Sequence, residues 1–284
     1  MNVLSKIFDS GYFLKSAHIP HQTGKPLLQI EHLSVQYENV FAIEDINFAI
    51  ERGMRVALIG PNGAGKSTLF KVIAGVIEPT RGKVLIYGSE PTGHICIAYV
   101  PQRSQVDWNF PANVADVVMM GRVGQIGFLR RPAASDWEKV YDAIETVDLQ
   151  DLRKRQINEL SGGQQQRVFI ARALAQEAEL MLLDEPMTGL DANSQDKIFT
   201  ILDKLKEKKI TTLVSLHDMK MARDHFHQVM LINKKLMGFG DPEEVFNSKA
   251  LAEAYQSHLH FIPSENGKLA LSDMCCNEEE PDND

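Results

Sequence analysis

Residues Gly60-Pro61-Asn62-Gly63-Ala64-Gly65-Lys66-Ser67, followed by Thr68, constrain the fold more than any other part of the chain. They fit G-x-x-x-x-G-K-S and lie between an apolar strand-like run, VALI, and a helical run from Thr68 to Ala74. Glycines there let the backbone curl so that several N–H groups and a helix N-terminus face one anion, and Lys66 adds a mobile positive charge. At an effective dielectric near 20, a charge pair about 4 Å apart is worth roughly 4 kcal/mol, which makes Lys66 an anchor for terminal phosphates. By residue frequency a chance match in such a chain has odds of roughly one in a hundred, and the strand-helix context lowers them. The loop therefore predicts nucleotide binding, with the Ser67 hydroxyl on Mg²⁺.

The rest of the chain reads as an α/β protein. Leu33, Val35 and Tyr37 alternate, and with AIEDINFAI and RVALIG they predict a β-rich opening that leads into the loop. LMLLDEP and TTLVSLH are short buried strands separated by stretches of helical length, the pattern of a parallel core. Between them SDWEKVYDAIETVDL predicts a helix capped at Ser135 with Glu138 as reciprocal partner, its face made of Trp137, Val140, Tyr141, Ile144 and Val147. Residues 1–26 read as an extension. The acidic end from 263 to 284, EEEPDND at its close, has the composition of a disordered tail.

Composition narrows the setting. A formal charge of -8 argues against a broad nucleic-acid surface, so no nucleic-acid partner is expected. Three cysteines, Cys96, Cys275 and Cys276, are too few for a disulfide framework and fit a reducing compartment. No apolar run approaches the roughly 18 to 20 residues that span a bilayer, and the start offers no long apolar core for a signal peptide. Any membrane role is expected to be peripheral.

A second candidate anion cradle, Leu160-Ser161-Gly162-Gly163-Gln164, precedes Gln165, Gln166 and Arg167. With the phosphate loop and Asp184-Glu185-Pro186 at the end of a buried strand, it makes the chain resemble the ABC ATPase family over about residues 27–245. The resemblance implies a RecA-like parallel-sheet core, an N-terminal antiparallel β subdomain and a helical subdomain inserted at about 104–170, within an ATPase domain spanning 27–262. It implies ATP and Mg²⁺ as ligands, with Asp184, Ser67 and Gln102 in the Mg²⁺ shell and Glu185 orienting or deprotonating the attacking water. Phosphoryl transfer requires such metal charge neutralisation and one group that positions the nucleophile.

The resemblance also assigns His217 to the γ-phosphate, Tyr37 to stacking on adenine, and Gly189-Leu190-Asp191 to the dimer seam, with Asp191 close to nucleotide. Family members often carry Ser-Ala-Leu-Asp at that seam and Thr before the histidine; this chain has Leu216 there. It further implies a homodimer in which Ser161, Gly162, Gly163 and Gln164 of one copy meet the phosphate held by the other, against a separate integral membrane permease.

The segment VPQRSQVDWNFP, followed by DVVMMGR, is similar to importers for manganese, zinc or related metals that use an extracytoplasmic metal-binding receptor. That places the chain on the cytoplasmic side of the plasma membrane. Iron-chelate and cobalamin importers, or a non-transport ABC ATPase, are the alternatives. Trp108, Phe110, Met119 and Met120 are expected either to seat a permease helix or to fill the helical lobe. Cys275-Cys276 and the His225/His227 pair are read as incidental rather than metal-ligating.

Overall fold

Four short runs, Arg55–Ile59 (β3), Leu180–Leu183 (β6), Thr211–Leu216 (β7) and Gln228–Asn233 (β8), are almost wholly buried and form the centre of the molecule. The computed structural model describes residues 24–91, 96–127, 130–246, 251, 254–255, 260–263 and 269–272. The central strands join a six-stranded sheet of order β5-β6-β7-β3-β8-β9, with β5 at Ile97–Val100 and β9 at Lys235–Gly240. All its pairs are parallel except β8 with β9. Registers such as Ile59 with Leu216 and Val100 with Leu183 bring the strand ends to one edge.

Because side chains alternate across a strand, this sheet divides the core in two. Ala57, Ile59, Met181, Leu183, Val214 and Leu216 pack with the helical lobe. Val56, Leu58, Leu180, Leu182, Leu213 and Met230 pack with the phosphate-loop helix and a second sheet. That second sheet is antiparallel, order β2-β1-β4, from Leu28–Tyr37 (β1), Val40–Ile50 (β2) and Arg81–Ile86 (β4). Both faces of the parallel sheet are covered, which is why its strands read as unbroken apolar runs.

The loop helix is Lys66–Ile73 (α1). The helical lobe comprises Val114–Met119 (α2), Ala134–Thr146 (α3) and the start of Gly162–Ala175 (α4), packed on one another. The end of α4 reaches the sheet, where the Gln176 amide donates to Ile97 O at 2.7 Å. Ala192–Glu207 (α5) and Met219–His225 (α6) flank β7.

The expected cap of α3 is corrected. The helix starts at Ala134, Ala133 holds the cap position, and Ser135 lies inside the first turn. Asp136, not Glu138, reaches back, accepting from Ala133 N at 2.9 Å, while its other oxygen accepts from Arg122 Nε at 3.2 Å. The tertiary ion pair thus sets the start of the helix over the local Ser-x-x-Glu pattern. The buried face is Val140, Ala143, Ile144 and Val147; Tyr141 is exposed and stacks on Trp137 at 5.8 Å.

Most of the segment 263–284 lies outside the described residues. Within it, Leu269–Ser272 (β11) pairs antiparallel with His260–Pro263 (β10), where the composition predicts no regular structure.

Candidate nucleotide site

The phosphate loop is shaped by contacts it makes with its own scaffold. A Cβ at Gly60 would stand 2.2 Å from Ile232 O, and one at Gly65 would stand 2.4 Å from Ile43 Cγ2 on a backbone with φ +94°. Neither position admits a larger residue. Ala64 O accepts from Lys234 N at 2.9 Å, and Lys234 O accepts from Glu44 N at 2.7 Å, so the loop is tied to the β8–β9 turn and through it to β2. No side chain caps α1 at Gly65, which leaves its first N–H groups free of side-chain acceptors.

Lys66 is buried and its Nζ donates to Gly60 O at 2.5 Å and Pro61 O at 3.3 Å. Burial pushes its pKa down, and the charges of Glu185 and Asp184 oppose the shift. Ala42, Pro61, Asn62, Gly63, Ala64, Ser67, Thr68 and Glu185 complete a cleft of about 200 Å³ around it.

The acid pair at the end of β6 is gripped from both neighbouring strands. From the β5 side, Tyr99 OH donates to Asp184 Oδ2 at 3.2 Å and Gln102 Nε2 to Glu185 Oε2 at 2.8 Å. From the β7 side, Ser215 Oγ donates to Asp184 Oδ1 at 2.8 Å, and His217 Nε2 meets Glu185 Oε1. Burial, and next the Asp184 charge, push the Tyr99 hydroxyl pKa well up, so Tyr99 remains a donor. Glu185 also borders a hollow of about 300 Å³ with Gln102 and Trp108, and one of about 210 Å³ with His217 and Gln195. The structure thus brings Lys66, Asp184, Glu185, Gln102 and His217 together.

The second cradle is the N-terminus of α4. Ser161 caps it reciprocally with Gln164: Gln164 N donates to Ser161 Oγ at 3.4 Å and Ser161 N to Gln164 Oε1 at 2.9 Å. Gly162 lies against the Arg103 guanidinium, and a Cβ at Gly163 would meet Ser194 Oγ at 2.6 Å. Asp191 caps α5, accepting from Ser194 N at 2.9 Å and Ser194 Oγ at 2.8 Å, and these bonds hold its carboxyl below the usual aspartate range.

Tyr37 does not line the phosphate-loop cleft. It stands half-exposed at the β1–β2 turn, paired with Val40. His225 stacks on Phe199 at 3.8 Å, and no cluster of three potential ligands forms among the described residues. Cys275 and Cys276 lie outside those residues. Sequence reasoning missed Tyr99, Ser215, Arg103 and Ser194. Ser215 had a signal: it is a hydroxyl between apolar neighbours near the end of a strand, two residues before His217.

Comparison with known proteins adds the family. The pattern of the family described as ABC transporter matches residues 43–188. The chain is 43% identical over 236 residues to the manganese transport system ATP-binding protein MntB of Bacillus subtilis, covering 83% of this chain and 94% of that protein. It is 42% identical over 233 residues to the zinc transport system ATP-binding protein TroB of Treponema pallidum, covering 82% and 88%. A metal-chelate type ABC transporter solved in an inward-facing conformation superposes with a TM-score of 0.74 at 29% identity, over 87% of this chain and 96% of that one. No helix among the described residues is long and apolar enough to cross a membrane. With phosphate loop, clamped acids and second cradle on one α/β frame, the chain belongs to the ABC transporter family, as an ATP-binding and ATP-hydrolysing subunit.

Proposed function

We propose that the chain energises uptake of a transition-metal ion, manganese or zinc, through a separate membrane permease that is fed by an extracytoplasmic receptor. It acts as a homodimer on the cytoplasmic face of the membrane. The manganese and zinc systems named above support the cargo. An iron-chelate cargo is the second reading, favoured by the metal-chelate transporter whose fold it shares.

The observation that carries the hydrolytic role is Glu185, which borders the phosphate-loop cleft with its carboxylate between Gln102 and His217. Lys66 and the N–H groups of Gly63, Gly65, Ser67 and Thr68 grip the phosphates; among the described residues the Lys66 ammonium bonds only backbone carbonyls, which it releases. Ser67, Gln102 and Asp184 would hold Mg²⁺, since each Asp184 oxygen takes one hydrogen bond and keeps a lone pair free. When bound, that ion neutralises phosphate charge. Glu185 orients the attacking water and takes its proton, and His217 holds the carboxylate toward the cleft. Ser161, Gly162, Gly163 and Gln164 of one copy close on the phosphate held by the other, with Asp191 at the seam and Tyr37 at the adenine end.

ATP joins the two copies and hydrolysis releases them. Moving a two-state permease from mostly one face to mostly the other needs about 5.5 kcal/mol of differential binding, a scale two sandwiched nucleotides supply. Glu185→Gln is expected to bind ATP and accumulate as a dimer, read by light scattering. Normal turnover in that variant would refute the role. Manganese- or zinc-dependent growth of a deletion strain tests the cargo, and growth restored only by iron chelates selects the second reading.

A further inference from the structure

Ser215 is fully buried in β7, TTLVSL, between the apolar neighbours Val214 and Leu216. A hydroxyl in such a place is costly unless its hydrogen-bonding capacity is used. Both of its bonds go to the acid pair. Its Oγ donates to Asp184 Oδ1 at 2.8 Å and accepts the Glu185 N–H at 2.8 Å.

The backbone explains the second bond. Asp184 N turns toward β5 and donates to Val100 O at 2.9 Å, so the next N–H, that of Glu185, faces β7. Glu185 leaves the strand in the left-handed region, φ +49°, and its N–H meets a side-chain oxygen where a strand would offer a carbonyl. That turn sends the Glu185 carboxylate away from Asp184 toward Gln102 and His217. Along β7, Leu213 and Ser215 alternate with Val214 and Leu216, which turns Ser215 to the acids, and His217, the first residue past the strand, also meets Glu185. The end of β7 and the residue after it therefore fix Glu185 at both ends, its N–H through Ser215 and its carboxylate through His217.

We propose that Ser215 is a positioning residue for ATP hydrolysis, a splint that locks Asp184 and Glu185 in one mutual geometry, with Tyr99 as its counterpart on the other Asp184 oxygen. This rests on the roles given above to the two acids. Leu216, between Ser215 and His217, is buried on the opposite face. Ser215 presents its hydroxyl to the face where the acids lie.

The test is Ser215→Ala, nearly isosteric, beside Ser215→Thr, which keeps the oxygen. Steady-state hydrolysis, the activation midpoint for Mg²⁺, and Mn²⁺ affinity measured by electron paramagnetic resonance with a non-hydrolysable ATP analogue are read on the full chain. Loss of an outer-shell partner of this kind costs about 10- to 100-fold. Ser215→Ala is expected to lose about that much kcat, to bind Mn²⁺ more weakly and to need more Mg²⁺, while metal-free ATP binding is unchanged; Ser215→Thr restores most of each.

The proposal is overturned if the alanine variant keeps kcat and metal midpoint within about twofold of the parent. It is also overturned if a folded Ser215→Thr protein is as impaired as Ser215→Ala. Asp184→Asn and Glu185→Gln serve as controls. If they hydrolyse ATP normally, the acid roles themselves fail. If they are inactive and Ser215→Ala is not, the splint alone fails.

Discussion

Gly162 and Gly163 show how one residue type can serve two masters. In sequence their adjacency points outward, to a phosphate that needs bare backbone. In the structure each also has a neighbour within the chain: the Arg103 guanidinium for Gly162 and Ser194 for Gly163. A methyl at Gly163 would lie 2.7 Å from Ser194 Cβ, an atom that cannot rotate away. Alanine in a helix interior normally gains about 1 kcal/mol over glycine, but overpacking costs about 1–3 kcal/mol, so the clash wins. Gly163→Ala is expected to lower the urea midpoint, and Ser194→Gly to suppress part of that loss in a double-mutant cycle. Additive losses would show that the two residues are not coupled. Chain adjacency revealed the cradle; it could not reveal Ser194, whose approach depends on where α5 packs.

At the scale of elements, the parallel strands were legible because burial on both faces leaves continuous apolar runs, and LMLL and TTLVSL are such runs. The start of α3 was not, because it is decided by Arg122, fourteen positions before Asp136. Arg122 is buried, and besides Asp136 it donates to Ala175 O at 2.9 Å and Glu177 Oε2 at 2.7 Å, joining the start of α3 to the end of α4. Gln165 and Arg167 complete the frame: Gln165 donates to Ile157 O at 3.0 Å and accepts from Arg103, and Arg167 reaches Val147 O at 2.7 Å beyond the end of α3. Glu177 retains Lys139 at 2.6 Å if Arg122 is removed, whereas Asp136 and Ala175 O lose a donor. Arg122→Leu is therefore expected to cost about 3–5 kcal/mol, seen as a lower urea midpoint at unchanged slope. A loss under about 1 kcal/mol would mean that the junction is held by packing alone.

Over the whole molecule, the permease proposed above needs a docking surface, and on the helical lobe four residues that look alike in sequence part company. Trp108 packs edge-on against Phe169 at 5.1 Å and donates its Nε1 to Arg103 O at 3.0 Å, and Met119 is partly buried against the same core. Phe110 and Met120 are 52% and 43% exposed. Composition could not separate the pairs, because an apolar side chain suits a core and a docking surface equally. The separation came only with the placement of α4 beneath Trp108. Trp108 also borders the hollow that holds Gln102 and Glu185, so a partner helix pressing on that hollow would act through Arg103 and Gln102 on the acid that orients water. Phe110→Ala with Met120→Ala is accordingly expected to leave the urea midpoint and the basal hydrolysis of the isolated subunit unchanged and to abolish stimulation by the reconstituted permease. Trp108→Ala removes a buried ring edge and a hydrogen bond and is expected to lower the midpoint by about 2–4 kcal/mol equivalent. Full permease stimulation in the double variant would place the docking surface elsewhere on the lobe, whereas a destabilised double variant would return Phe110 and Met120 to the core.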